Sequence, residues 1–244
     1  MLFHLPKPLH GWRAFAGEVG IIVVGVLIAL SAEQFVEGLH WRGEVRAADE
    51  RISDDVRTDL ANASERFAID PCLRPRLAEI RDQLLRTDPN WSASTAHFAR
   101  DIYNPGFPSV YRTPNRGWEK ASWMTALNGE VLGHFTPARA EQFAVMFDVI
   151  ALMELIQAEE VRTAEDLGDL AFPGPMSAAE RRANLKVVTK LDSLDVRMLY
   201  LAELLLDDAK AAGIKPDPKD LREEIDQQRS YRGSCVREPT SLAS

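Results

Sequence analysis

The sequence predicts an all-α protein. An N-terminal transmembrane helix continues into a long helix, which packs in a four- to five-helix extramembrane bundle. Three observations carry this reading. One uncharged apolar run, VGIIVVGVLIALSA, extends from Val19 to Ala32. No proline occurs between Pro8 and Pro71, so nothing interrupts a helix begun in that run. Beyond it, apolar residues recur at threes and fours, and no strand pair with hairpin chemistry is found. The expected organisation is a short tail over 1–11, a transmembrane helix over 12–41, a helical domain over 42–238 and a loose tail over 239–244.

The run has 14 residues, about 21 Å of helix at about 1.5 Å per residue. A hydrocarbon core of about 30 Å needs roughly 20 residues. The flanks extend it: Phe15 and Ala16 precede it, and Phe35, Val36 and Leu39 follow. Trp12 and Trp41 stand about 44 Å apart along a helix, the spacing of two headgroup belts. The apolar face continues past Ala29, Ser31 and Ala32 without a turn, which favours a retained signal anchor over a cleaved signal. Glu18, Ile22, Gly25, Ala29 and Glu33 share one face. Gly25 and Ala29 form a small-xxx-small pair, so this face is a candidate intramembrane interface with a carboxylate at each end. The alternative is that both Glu side chains reach headgroup water and the small residues are incidental.

Charge does not settle orientation. Residues 1–17 carry Lys7 and Arg13 and no acid, which favours an inner N-terminus. Arg42, Arg46, Arg51 and Arg57 after the span count the other way. Long domains translocate largely regardless of charge. Cys72 and Cys235 are the only cysteines and form a candidate disulfide. In an oxidising compartment they pair; in a reducing cytosol they are two free thiols. The reading adopted is a single-pass protein of the bacterial inner membrane, N-terminus cytoplasmic, C-terminal domain periplasmic.

Trp12-Arg13-x-Phe15, Gly17-Glu18-Val19-Gly20-Ile21-Ile22, Gly25-Val26-Leu27-Ile28-Ala29-Leu30, Glu33-Gln34 and His40-Trp41-Arg42 together resemble the opening of the DUF6090-like bacterial membrane-anchored proteins. The resemblance covers roughly residues 11–65. It implies one N-terminal span, a mostly helical extramembrane part and no transferable catalytic residues.

Val45, Ala48, Ile52, Val56, Ala63 and Phe67 mark a helical stripe that carries the span's helix on towards Phe67. Asp70-Pro71 reads as a fresh helix start, with Leu73, Leu77, Ile80 and Leu84 as its face. Residues 88–116 are an irregular connection rich in Pro, Asn and Ser, with room for a short helix near 93–102. Further helices are expected from Gly117 to Leu127, from Thr136-Pro137 to about Leu167, and from the capping box Ser177-x-x-Glu180 to about Ala212. Leu221 and Ile225 allow a last short helix.

The chemistry is sparse. The net charge of -8 argues against nucleic acid. No His-Glu-x-x-His site, phosphate loop, Gly-x-Ser-x-Gly elbow or Cys-x-x-Cys pair occurs, and no catalytic, metal or cofactor residues are assigned. Seven of the nineteen aromatics fall in the 33 residues from Trp91 to Trp123, a local excess. Trp91, Tyr103, Phe107, Tyr111, Trp118 and Trp123 are its candidate recognition or packing cluster, with Phe98 the remaining ring. The expected function is a membrane-anchored helical interaction domain. Its partners are the lipid bilayer and a second copy or another membrane protein. The alternatives are a periplasmic small-ligand or sensor-like domain, or an enzyme whose site leaves no motif.

Overall fold

In a computed structural model, which describes residues 12–92 and 110–238, α1 runs unbroken from Trp12 to Leu84. Its 73 residues make a rod of about 110 Å. Every described side chain from Phe15 to His40 is exposed. This is the one helix among the described residues long and apolar enough to cross a membrane, by length and composition. From Trp41 onward the same helix enters a bundle of five helices, and the all-α expectation holds.

The others are α2 (Ala121–Asn128), α3 (Pro137–Glu165), α4 (Ala178–Ala211) and α5 (Pro218–Arg232). α4 packs along both α3 and α1, and α5 packs on α1. Local chemistry fixes most ends. Thr136 caps α3, with its hydroxyl accepting from the Arg139 amide, and Pro137 takes the first turn. Ser177 and Glu180 form the reciprocal capping box expected for α4. Gly213, at φ 76°, supplies the left-handed residue that lets the Ile214 amide reach back to the Ala209 carbonyl at 2.8 Å.

Three sequence expectations need correction. Asp70-Pro71 does not start a helix: α1 passes through both Pro71 and Pro75. An interior proline removes one helical hydrogen bond and crowds the preceding turn. Burial on both sides outweighs this, because Ile69, Leu73, Leu77, Ile80 and Leu84 are all core residues. Asp70 does not cap; its carboxylate accepts from Arg74, one turn on. α2 begins at Ala121, later than Gly117, because Trp118–Lys120 are held in a non-helical path by α1. A strand pair also exists: Asn90–Trp91 (β1) lies antiparallel to Gly174–Pro175 (β2). The two strands are far apart in sequence, which is why hairpin signals did not reveal them. The short helix expected near 93–102 lies outside the described residues.

The bundle has two apolar cores stacked along α1. The one nearer the N-terminus of α1 joins Ile52, Val56 and Leu60 to Phe143, Met146, Ile150, Met198 and Leu205. The distal one joins Ile69, Leu73, Leu77 and Ile80 to Leu167, Leu191 and Ile225. Between them, every residue of α1 from Asp59 to Arg66 is buried. α1 is therefore the axis of the bundle at this level, covered on all sides.

Candidate functional site

The boundary between the two cores is polar. Arg66 donates to Glu160 of α3 at 2.6 Å and to Asp195 of α4 at 3.4 Å, and all three side chains are buried. One position earlier, Glu65 is fully buried and accepts both arms of Arg116, at 3.0 and 2.6 Å. Arg116 also reaches Gln227 and Glu224 of α5. Gln157 of α3 accepts from the Arg116 amide and donates to the Arg116 carbonyl. One turn back on α1, the Asn62 amide donates to the Gly117 carbonyl at 3.1 Å. Two adjacent α1 side chains thus tie α3, α4, α5 and the 110–120 connection to one level of the axis.

α1 also caps α2 from outside. The Asp59 carboxylate accepts from the Glu119 amide and Asp55 from the Ser122 amide, both at 2.9 Å. These amides lie at the positive end of α2, whose own preceding residue, Lys120, offers no side-chain cap. Burial raises the Asp59 carboxyl from an ordinary 3.8 to about 8, against the lowering effect of the Glu119 amide. Its second oxygen has no hydrogen-bond partner among the described residues. Burial likewise raises Glu160 and Asp195, with Arg66 pulling both down. Arg66 Nε and Nη1 and Glu160 Oε2 also lack partners among the described residues, so this layer is incompletely satisfied.

The candidate disulfide residues are brought together. Cys72 and Cys235 are bonded, with Cα atoms 5.2 Å apart. Beside them the Arg237 amide donates to the Ala68 carbonyl at 2.9 Å, next to the proline-interrupted turn. The candidate intramembrane face is also displayed. Glu18, Ile22, Gly25, Ala29 and Glu33 are exposed on one side of α1, with open space around Gly25. The aromatic cluster does not form one surface. Trp91 and Tyr111 are buried in the distal core, and Trp118 and Trp123 in the one nearer the N-terminus of α1. Trp91 Nε1 donates to the Leu170 carbonyl at 2.8 Å, and the Trp123 ring stacks on Phe147. Tyr103, Phe107 and Phe98 lie outside the described residues. No group of three or more His, Cys, Asp or Glu residues suited to a metal occurs among the described residues.

A concavity that the sequence did not reveal lies where α1 enters the bundle. It is a groove of about 650 Å³ between α1, from Gln34 to Asp49, and the turn Val131–His134 with the start of α3. The Trp41 and His134 rings stack at 3.8 Å, nearly parallel, at the first contact between rod and bundle. Arg139 forms the floor. It donates to Asp49 at 2.6 and 3.1 Å and to the Ala212 carbonyl at 3.0 Å, and lies over the Phe143 ring.

No family model, curated protein or solved structure matches the chain. Its function therefore rests on this geometry.

Proposed function

We propose that the chain is a single-pass, membrane-anchored interaction domain. Residues 12–41 cross the bilayer as an uncleaved anchor, and the bundle binds a protein partner or a second copy beside the membrane. The observation that carries this is the division of α1: uncharged and exposed on every side from Val19 to Ala32, exposed on to His40, then enclosed by the bundle. Exposed Ile21, Ile22, Val24, Leu27, Ile28 and Leu30 surround α1 with apolar side chains, a surface that water-soluble proteins rarely present. The DUF6090-like resemblance belongs to the same reading.

The bundle lies on the periplasmic side of the bacterial inner membrane, with the N-terminus cytoplasmic. The Cys72–Cys235 bond supports this side, because such bonds persist in oxidising compartments. The intramembrane face around Gly25 and Ala29 supports self-association, since small residues let two helices approach closely.

A C-terminal reporter active only in the periplasm tests the side, and co-purification of two differently tagged copies tests association. Periplasmic reporter activity is expected. Gly25→Leu and Ala29→Leu are expected to weaken recovery of the second copy without changing membrane localisation. Recovery unchanged by both substitutions removes the intramembrane interface from the proposal.

A further inference from the structure

The groove at the membrane-proximal end has a composition that the interaction reading does not use. Arg42 and Arg46 stand one turn apart on α1, both exposed and both lining the groove. Neither has an ion pair among the described residues. The contrast with Arg139 of α3, on the floor of the groove, is direct, since Asp49 holds it at two positions. His134, exposed and stacked flat on Trp41, presents its ring edge to the same space. Glu37 is the one unpaired carboxylate in the lining, so two free guanidinium groups leave a positive surplus.

Position limits what can reach this surplus. Gly38 precedes Arg42 by one turn and leaves a notch, with nothing within 4 Å of where a side chain would begin. Phe35 and Leu39 are exposed on the face of α1 that carries Arg42 and Arg46. An acyl chain lying against those two residues brings its own headgroup to the level of Arg42 and Arg46. Cations just outside a span attract anionic headgroups, and Trp at this depth is an interfacial anchor.

We propose that this groove binds the phosphate headgroup of an anionic phospholipid. Arg42 and Arg46 hold the phosphate, His134 is a further donor, and the Arg139–Asp49 pair keeps the floor rigid. The bound lipid pins the bundle to the membrane surface at a fixed level of α1. The inference rests on the anchor reading above.

The test uses the full chain in nanodiscs made either of phosphatidylcholine alone or with added phosphatidylglycerol. Lipid retained after transfer to mild detergent is counted by native mass spectrometry. Wild type is expected to retain phosphatidylglycerol over phosphatidylcholine by about tenfold. The Arg42→Gln/Arg46→Gln double variant, changed only at exposed side chains, is expected to lose that preference while keeping its helix content. Equal retention of the two lipids by wild type overturns the proposal, as does an unchanged preference in the double variant. If inorganic phosphate at millimolar concentration displaces the lipid, the groove is a free-anion site and the lipid assignment is wrong. Alkaline carbonate extraction separates the two levels. A chain that stays in membranes without lipid preference loses this inference alone, whereas a chain released by carbonate loses the anchor reading as well.

Discussion

At the scale of single residues, the main lesson is where charge is buried. Asp59, Glu65, Arg66, Glu160 and Asp195 form a polar layer between two apolar cores, and α1 contributes three of them. Such layers are expensive when incomplete, and breaking one partner of a buried pair is worth about 3–5 kcal/mol. The pH dependence follows from the raised carboxyls. The folded Asp59 carboxyl titrates near 8, above its ordinary 3.8. Its contribution to stability is therefore full below about 4 and is lost as pH rises through 8. Asp59→Asn removes this dependence. It is expected to leave stability at pH 4 nearly unchanged and to raise it at pH 9 by on the order of 5 kcal/mol. Denaturant unfolding of the detergent-solubilised chain at the two pH values measures this. A variant equally destabilised at both would mean that Asp59 is charged in the fold and acts as an ordinary cap. Part of the layer was legible in sequence. Asp195 falls in the stripe that runs Val188, Leu191, Met198, and Glu160 follows Met153 by seven positions on the face of α3. Each is an interruption in an apolar face. Their partner was not legible, because Arg66 meets both only through tertiary packing.

At the scale of elements, caps and stripes were readable and long-range effects were not. Ser177 with Glu180, and Thr136 with Pro137, mark helix starts because the capping groups lie within four residues of one another. The start of α2 was misplaced because its caps, Asp55 and Asp59, come from another helix. The two prolines of α1 misled for a related reason. Asp-Pro is a good start signal locally, and only the burial of Ile69, Leu73 and Leu77 carries the helix through it. Pro71 then remains a local weakness in an otherwise regular rod. Pro71→Ala restores an amide facing the Phe67 carbonyl and is expected to stabilise the chain by about 1–3 kcal/mol. A higher thermal midpoint is the predicted readout. A lower one would show that the turn is built around the proline ring, with the Arg237–Ala68 hydrogen bond depending on it.

At the scale of the whole molecule, one helix is an exposed apolar segment, a rod and the bundle axis in turn. The Cys72–Cys235 bond fastens the C-terminal end of the chain back onto that axis across 163 positions. Such a closure is worth about 5 kcal/mol in the chain-entropy account. Cys72→Ser is expected to loosen the C-terminal part first. Hydrogen exchange should rise in residues 218–238 while the α3–α4 core keeps its protection. Uniform loss of protection would instead make the bond a requirement for the whole bundle. The arrangement also fixes what a partner can meet. The rings of Trp91, Tyr111, Trp118 and Trp123 are buried, so the free surfaces are the exposed face of α1, the groove at Arg42 and Arg46, and the outer faces of the bundle. Alkaline carbonate extraction of membranes carrying the full chain tests most directly whether the exposed apolar part of α1 lies in a bilayer. The protein is expected to remain in the membrane pellet; its release into the supernatant would contradict a membrane-spanning α1.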